Sequence, residues 1–232
     1  MILSERLQSI ADFIPNNTIV GDIGTDHGYL PVYLIENKIA KKVIATDISN
    51  NSLNKIIQFV ESRCLKDFVD IRLGDGLEII KPFEIDTVVI AGMGGILIKD
   101  ILNKNKDIAE SITNFILQPN IATKELREYL YQNEFEIIDE KLVEEGNKFY
   151  EIIYAKKGKM YLKDNIYLEL GEKLILNRNP LLKRFIYHKI GILEDILQQL
   201  QDKDTEKSKD RYYELMDNIK ELKGVLNKIE GI

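Results

Sequence analysis

Ile19-Val20-Gly21-Asp22-Ile23-Gly24-Thr25-Asp26-His27-Gly28-Tyr29-Leu30-Pro31 is the stretch that decides the fold. An apolar strand start runs into Asp22, Gly24 and Gly28 frame a turn, and a helix-compatible run follows from Tyr29 to Ile35. The unit therefore reads as strand, glycine turn, helix. In α/β sheets ligands sit beyond the carboxyl ends of the strands, near the point where strand order reverses, and glycines let backbone approach the ligand. The spacing here is D-x-G-x-x-x-G, whereas a pyrophosphate loop wants G-x-G-x-x-G. An acid just before the first glycine suits a cationic or amine-bearing ligand instead. The plain alternative for the glycines alone is a tight strand-to-helix turn.

Two further strands favour a nucleoside ligand. Val43-Ile44-Ala45-Thr46 ends in Asp47, and Val69-Asp70-Ile71-Arg72-Leu73 runs into Gly74-Asp75-Gly76. An acid after the second strand is placed to accept ribose hydroxyls, and one after the third can accept from an adenine amino group. Each acid by itself also fits a helix N-cap or turn residue. All three falling together points to a nucleoside site. S-adenosylmethionine, with its amino-acid tail and sulfonium charge, meets the demand made by Asp22.

Residues 2–14 read as an amphipathic helix, with Leu3, Leu7, Ile10 and Ile14 on one face and Pro15-Asn16-Asn17 ending it. Leu53, Ile56, Ile57 and Val60 recur at helical spacing after Asp47. Residues 86–91 form a strand, apolar from Val88 onward, of the buried parallel kind that runs into Gly92-Met93-Gly94-Gly95, a second close backbone approach at the same sheet edge. Phe115-Ile116-Leu117 is the next strand, ending in Gln118-Pro119-Asn120, and residues 123–131 form the helix after it. Residues 135–139 and 149–155 are strands joined by residues 140–148, too short a linker for a crossover helix, so they pair antiparallel. Five strands alternating with helices and closed by an antiparallel hairpin match the Rossmann-like, seven-stranded α/β sheet of class I S-adenosylmethionine-dependent methyltransferases.

Lys156-Lys157-Gly158-Lys159 marks a boundary, giving a cofactor-binding domain over residues 1–158 and a helical domain over residues 159–232. In the second, Leu182, Ile186, Ile190, Leu193, Leu197 and Leu200 form one heptad-like seam, and Tyr212, Leu215, Ile219, Leu222, Leu226 and Ile229 another. Residues 201–208 are a short charged connection, so an antiparallel coiled-coil hairpin is the simplest arrangement, with a dimerising coiled coil as the alternative.

The 232 residues suffice for a full core and a smaller appendage. One cysteine excludes an internal disulfide and a cysteine-rich metal site, and two distant histidines leave zinc short of ligands, so no metal is expected. No signal peptide or bilayer-spanning run is evident, which implies a cytoplasmic protein without a membrane partner. The net charge of −6 argues, taken alone, against a nucleic-acid partner. The balance is uneven, however. Residues 1–158 hold 18 basic against 25 acidic side chains, and residues 159–232 hold 14 against 13. Residues 173–193 contain no acid but five cations, Lys173, Arg178, Lys183, Arg184 and Lys189. A local basic patch matters more to binding than the whole-protein sum.

GDIGTDHGYLP, the AGMGG loop, QPN after the fifth strand and FYEII in the last strand together resemble the bacterial tRNA methyltransferases that modify N1 of adenine 22, the TrmK family. Leu3-Ser4-Glu5-Arg6-Leu7 is similar to that family's opening. The resemblance covers essentially the whole chain. Many members have alanine where Gly28 stands and often glutamate where Asp47 stands; a longer acid would reach the ribose differently. The resemblance implies S-adenosylmethionine as cofactor, tRNA as partner and N1-methyladenine as product, and the intramolecular hairpin implies a monomer.

Adenine N1 carries a lone pair and needs no prior deprotonation, so the protein's task is alignment in line with the carbon–sulfur bond. An acceptor for the exocyclic amine and a stacking surface for an extruded base would help. Asp26 and Asn120 are the candidate acceptors and Tyr29 the candidate ring. A helix cap, a core ring and a turn residue are the structural alternatives for Asp26, Tyr29 and Asn120. Candidate cofactor contacts are Asp22, Gly24, His27, Gly28, Asp47, Ile48, Asp75, Gly76, Gly92, Met93 and Gly94, with His27 bracing its loop by a hydrogen bond. Candidate RNA contacts are Arg6, Lys183, Arg184 and Lys189. Two rival classes remain at this point. A small-molecule methyltransferase of the same fold leaves the basic appendage idle, and a non-catalytic RNA-binding protein leaves the three aspartates unexplained.

Overall fold

A computed structural model describes residues 1–200 and 205–231. The chain divides into two compact units, Met1–Lys163 and Asp164–Ile232.

The first unit is a seven-stranded sheet in the order β3-β2-β1-β4-β5-β7-β6. Its strands are β1 (Thr18–Ile23), β2 (Ala40–Asp47), β3 (Val69–Leu73), β4 (Thr87–Gly94), β5 (Asn114–Ile121), β6 (Phe135–Glu145) and β7 (Lys148–Lys157). The first five are parallel, and β7 lies antiparallel between β5 and β6. Strand order reverses between β1 and β4, which pair directly from Val20↔Thr87 to Ile23↔Ile90. Ligand crevices open at such a switch point.

Period-two side-chain alternation explains the apolar strands. Val88, Ile90, Phe115 and Leu117 enter one core layer, while Val89 and Ile116 enter the layer on the opposite face. Each face is covered by helices, so strands buried on both sides need no polar alternation.

The amino-terminal helix is shorter than its apolar spacing predicts. Helix α1 spans Glu5–Ala11, started by Ser4, whose hydroxyl accepts the Leu7 N–H. Residues before Ser4 run free of helix and become part of a cavity wall. The predicted linker at residues 140–148 is also corrected. It is strand almost throughout, with only Gly146 and Asn147 forming the turn, and Gly146 has a φ of 61°. A bulge between Ile137 and Asp139 shifts the inward-outward alternation, which hides the continuation of β6 from a period-two reading.

Helix α6 (Thr123–Gln132) is tied to this hairpin by a buried ionic cluster. Arg127 Nε donates to Glu140 at 2.8 Å and Nη2 to Glu151 at 2.6 Å, with all three residues buried. Burial opposes the guanidinium charge, but the two carboxylates outweigh it and raise the pKa of Arg127.

The second unit contains α7 (Ile166–Leu170), α8 (Glu172–Leu176), α9 (Leu182–Leu200) and α10 (Glu206–Glu230). Lys183 pairs with Glu230 and Glu194 with Lys223, so α9 and α10 run antiparallel within one chain. The two short helices carry too few turns to show a seam. Leu182, Ile186, Ile190 and Leu197 are buried as the seam predicts, as are Leu215, Ile219, Leu222 and Leu226. Ile229 is instead exposed and Val225 takes an inward position. Of the predicted connection at residues 201–208, residues 201–204 lie outside the described residues. Among the described residues no helix is long and apolar enough to cross a membrane.

Candidate functional site

The loop after β1 is built by its neighbours as much as by its glycines. Gly24 and Thr25 both donate backbone N–H groups to the Thr46 carbonyl, at 2.8 and 3.0 Å, which docks the turn onto the end of β2. Gly24 has a φ of 78°, and a Cβ there would collide with the Met93 methyl. Met93 therefore supports the first loop from the second. Gly28 has a φ of 73° and starts helix α2 (Tyr29–Glu36), with Ile56 packed against it.

Asp22 sits at the base of this loop with 6% of its surface exposed. Thr25 Oγ1 donates to its carboxylate at 2.7 Å, and no cation pairs with it among the described residues. Burial raises its pKa to about 6; the Thr25 hydrogen bond opposes the rise, and the nearby Asp47 charge adds to it. A buried carboxylate in that state is matched by a ligand that brings its own positive charge.

Asp26 adopts a φ of 48° and is exposed, with its carboxylate 3.2 Å from His27 Nε2. The His27 ring stacks on Tyr29 at 5.4 Å, and Tyr29 meets Phe59 edge-on at 5.5 Å. His27 and Phe59 thus set the orientation of a half-exposed Tyr29 ring. Asp47 accepts the Ser49 N–H at 2.7 Å and, more weakly, the Asp26 N–H at 3.4 Å, so it braces two loops.

The second glycine loop is tied to the end of β5. Gly92 has a φ of 78° and marks an irregularity where Ala91 faces Gln118 and Met93 faces Pro119. Gln118 is fully buried and receives the Gly92 N–H at 3.2 Å, while Asn120 Nδ2 donates to the Gly92 carbonyl at 2.7 Å.

A cavity of about 740 Å³ opens between these loops. Its wall includes Asp22, Gly24, Asp26, His27, Tyr29, Gly92, Asn120 and Arg6 from the sequence-predicted set. Gly28, Asp47, Ile48, Asp75, Gly76, Met93 and Gly94 are not on it. Asp47 braces the loop through the Asp26 N–H, and Met93 packs against Gly24. Ile48 is exposed on the β2 end, and Asp75 lies on the surface beside Lys104 at 4.0 Å. Gly76, with a φ of 55°, lets the chain pack on Ile101.

Sequence reasoning missed much of the opposite wall. The segment from Met1 to Ser4, Thr25, Glu145 and Tyr150 all line the cavity. Arg6, expected to contact RNA, points its Nη1 to Gln118 Oε1 at 2.6 Å and lies over the Tyr150 ring at 5.2 Å. Glu145 falls in the stretch that reads as linker and had no signal in the sequence, whereas Tyr150 falls in the last predicted strand, within the FYEII motif of the family resemblance.

The remaining predicted cations belong to the helical unit. Lys183 pairs with Glu230 at 2.6 Å, and Lys189 with Glu169 at 3.4 Å. Lys183 and Arg184 are exposed, but only 23% of the Lys189 side chain is. Two of the three cations face solvent, and the run free of acids in sequence meets acids brought by other helices.

Residues 20–224 match the family model described as tRNA (adenine(22)-N(1))-methyltransferase. The tRNA (adenine(22)-N(1))-methyltransferase of Bacillus subtilis is 38% identical over 97% of this chain and 97% of its own length. Among solved structures, Mycoplasma capricolum TrmK in complex with S-adenosyl-homocysteine has a TM-score of 0.86 at 32% identity, covering 99% of this chain and 100% of that one. Streptococcus pneumoniae Sp1610 in complex with S-adenosyl-L-methionine has a TM-score of 0.88 at 30% identity, covering 97% and 100%.

Proposed function

The chain belongs to the tRNA (adenine(22)-N(1))-methyltransferase family, and from that premise we propose how its cavity methylates N1 of adenine 22 in tRNA. The observation that carries the site assignment is the buried, cation-free Asp22 carboxylate on the same wall as Asp26, Tyr29 and Asn120.

S-adenosylmethionine, when bound, supplies an electrophilic methyl group on a sulfonium. The residues present fit it. Asp22 matches its ammonium, and the positive φ at Gly24 and Gly28 folds the loop tightly over the end of β1 beside it. Asp47 is positioned at the end of β2 for ribose hydroxyls, with Ile48 beside it. Asp75 and Gly76 flank the β3 end where an adenine edge would lie.

The protein's own contribution is alignment. Tyr29, fixed between His27 and Phe59, offers a ring on which an extruded base stacks. Asp26 and Asn120 present acceptors for the exocyclic amine, whose acidity grows as positive charge develops on the ring. N1 attacks with its own lone pair, so no side chain needs to remove a proton before the new bond forms. We place the enzyme in the cytoplasm with its tRNA substrate, acting as a monomer, with the basic residues Lys183, Arg184 and Lys189 of the helical unit assisting RNA docking.

The decisive experiment is transfer of tritiated methyl to unmodified tRNA, followed by mass-spectrometric mapping of the product. N1-methyladenine at position 22 is expected. Methylation of small nucleosides but not of tRNA would overturn the reading.

A further inference from the structure

We propose that Arg6 is a positioning residue for methyl transfer, acting through Gln118 to fix which end of the Asn120 amide faces the base; this rests on Asn120 being the adenine-facing amide.

The geometry begins with Gln118. Its Oε1 accepts from Arg6 Nη1 at 2.6 Å and from the Gly92 N–H at 3.2 Å. Its Nε2 donates to the Pro119 carbonyl at 2.9 Å and to Asn120 Oδ1 at 3.1 Å. Asn120 Nδ2 then returns to the Gly92 carbonyl at 2.7 Å. Gly92, Gln118 and Asn120 form a closed ring of hydrogen bonds across the ends of β4 and β5, and among the described residues Arg6 is its one charged contributor.

A carboxamide has two ends of nearly equal size and opposite polarity, whereas a guanidinium only donates. Arg6 therefore holds the Gln118 oxygen toward itself, and the Gln118 nitrogen is left to face Asn120. That, together with the Gly92 carbonyl taking Asn120 Nδ2, holds the Asn120 oxygen as an acceptor with one lone pair still open. The polarity matters to the reaction. An amide oxygen relieves the exocyclic amine as it gains acidity, while an amide NH₂ in the same place would donate to the N1 lone pair that has to attack. A charge-assisted bond is about twice as strong as a neutral one, which makes Arg6 the member best able to enforce the order.

Arg6 is itself committed to this wall. Its backbone N–H donates to Glu145 Oε1 at 2.7 Å, satisfying a first-turn donor of α1. Its Nε lies 4.0 Å from the other Glu145 oxygen, and Tyr150 lies under the guanidinium. With 25% of the side chain exposed, Arg6 is oriented inward, toward Gln118.

A double-mutant cycle of Arg6→Met and Asn120→Ala, read as single-turnover methyl transfer to tRNA at saturating cofactor and RNA, tests this. Arg6→Met should lower the rate by about tenfold to a hundredfold, the scale of a misplaced group, with cofactor and tRNA dissociation constants nearly unchanged. In the Asn120→Ala background the same change should cost less than roughly threefold, because coupled residues are not additive. Arg6→Lys, which keeps a donor-only cation, should recover part of the rate. Equal losses in both backgrounds would overturn the proposal. So would weaker tRNA binding with an unchanged rate, which would make Arg6 a phosphate contact. The side-chain amide resonances of Gln118 and Asn120 give a reading without activity: they should move in Arg6→Met, and unmoved signals would refute the coupling. A wild-type protein that methylates no tRNA adenine would refute the functional reading instead, whatever those resonances do.

Discussion

Two buried acidic centres in the same sheet are handled in opposite ways. At one, Glu140 and Glu151 share Arg127, each through a hydrogen bond shorter than 3 Å. At the other, Asp22 has only the Thr25 hydroxyl and faces the repulsion of Asp47. The first centre joins α6 to β6 and β7 off the cavity wall, and the second lines the cavity itself. Desolvating a charge costs several kcal/mol unless partners restore the loss, so a fold keeps an uncompensated acid only where something outside the chain completes it. A compensated buried charge thus marks structure, and an uncompensated one marks a ligand.

The largest expected effect breaks the compensated centre. Arg127→Met should destabilise the protein by about 3–5 kcal/mol, since it leaves two carboxylates buried without their cation. Denaturant unfolding of the purified variant measures it. A loss below about 1 kcal/mol would mean that water or another group already shares the charge.

The uncompensated centre should respond with the opposite sign. The pKa of Asp22 is raised from 3.8 to about 6 in the folded chain. The stabilisation from its protonation is fully present below the unfolded value and is lost as pH rises through about 6. At pH 8 the ionised group costs roughly 3 kcal/mol, so Asp22→Asn should stabilise the ligand-free protein by up to about that amount there and by almost nothing at pH 4. S-adenosylmethionine binding should move the other way, weakening below pH 6 in the wild type and being weak at every pH in Asp22→Asn. Equal stability of variant and wild type at pH 8 would show that Asp22 is compensated after all.

The contrast also explains what could be read from the chain alone. Asp22, Gly24, Asp26 and Gly28 fall within seven residues, and the local order of strand, glycine turn and helix places them together. The β4 and β5 ends were legible because AGMGG and QPN follow uninterrupted apolar strands. The Arg127 cluster was not, because Glu140 and Glu151 lie 13 and 24 positions from Arg127 on two different strands, and the bulge in β6 disguises the first of them. Arg6 meets Gln118 across 112 positions. Its inward role follows from where α1 lands on the sheet, which no periodicity records. The acid-free run at residues 173–193 misled for the same reason: Glu169 and Glu230 join it only after folding.

A smaller effect is expected at Asp47, which stands between the two extremes. Its oxygens accept backbone N–H groups from Ser49 and Asp26, so part of its charge is already used. Asp47→Ala should weaken S-adenosylmethionine binding by about 1.5–3 kcal/mol, the range for hydrogen bonds to charged groups, and leave tRNA affinity nearly unchanged. Calorimetry reads the first and filter binding the second. Unaltered cofactor affinity with lowered thermal stability would reduce Asp47 to a loop brace.

The smallest effect concerns surface charges, where pairing is weak and salt screens it. The sheet domain carries a net negative charge, so tRNA attraction has to come from elsewhere, and Lys183, Arg184 and Lys189 are the candidates. Replacing all three by alanine should weaken tRNA binding and reduce the log–log salt slope by about one unit for each phosphate no longer neutralised. Because Glu230 holds Lys183 at 2.6 Å, the complementary change is more informative. Glu230→Gln releases the Lys183 ammonium without removing it, and should tighten tRNA binding and steepen the slope by up to about one unit. Lys189 is itself less exposed than Lys183, at 23% against 51% of the side chain, so Glu169→Gln should do less. If the triple variant and Glu230→Gln both leave the slope where it was while cofactor binding and folding stay intact, the hairpin does not meet RNA. The contrast between paired and unpaired charge would then hold for the cavity alone, and phosphate attraction would have to come from cations of the sheet domain.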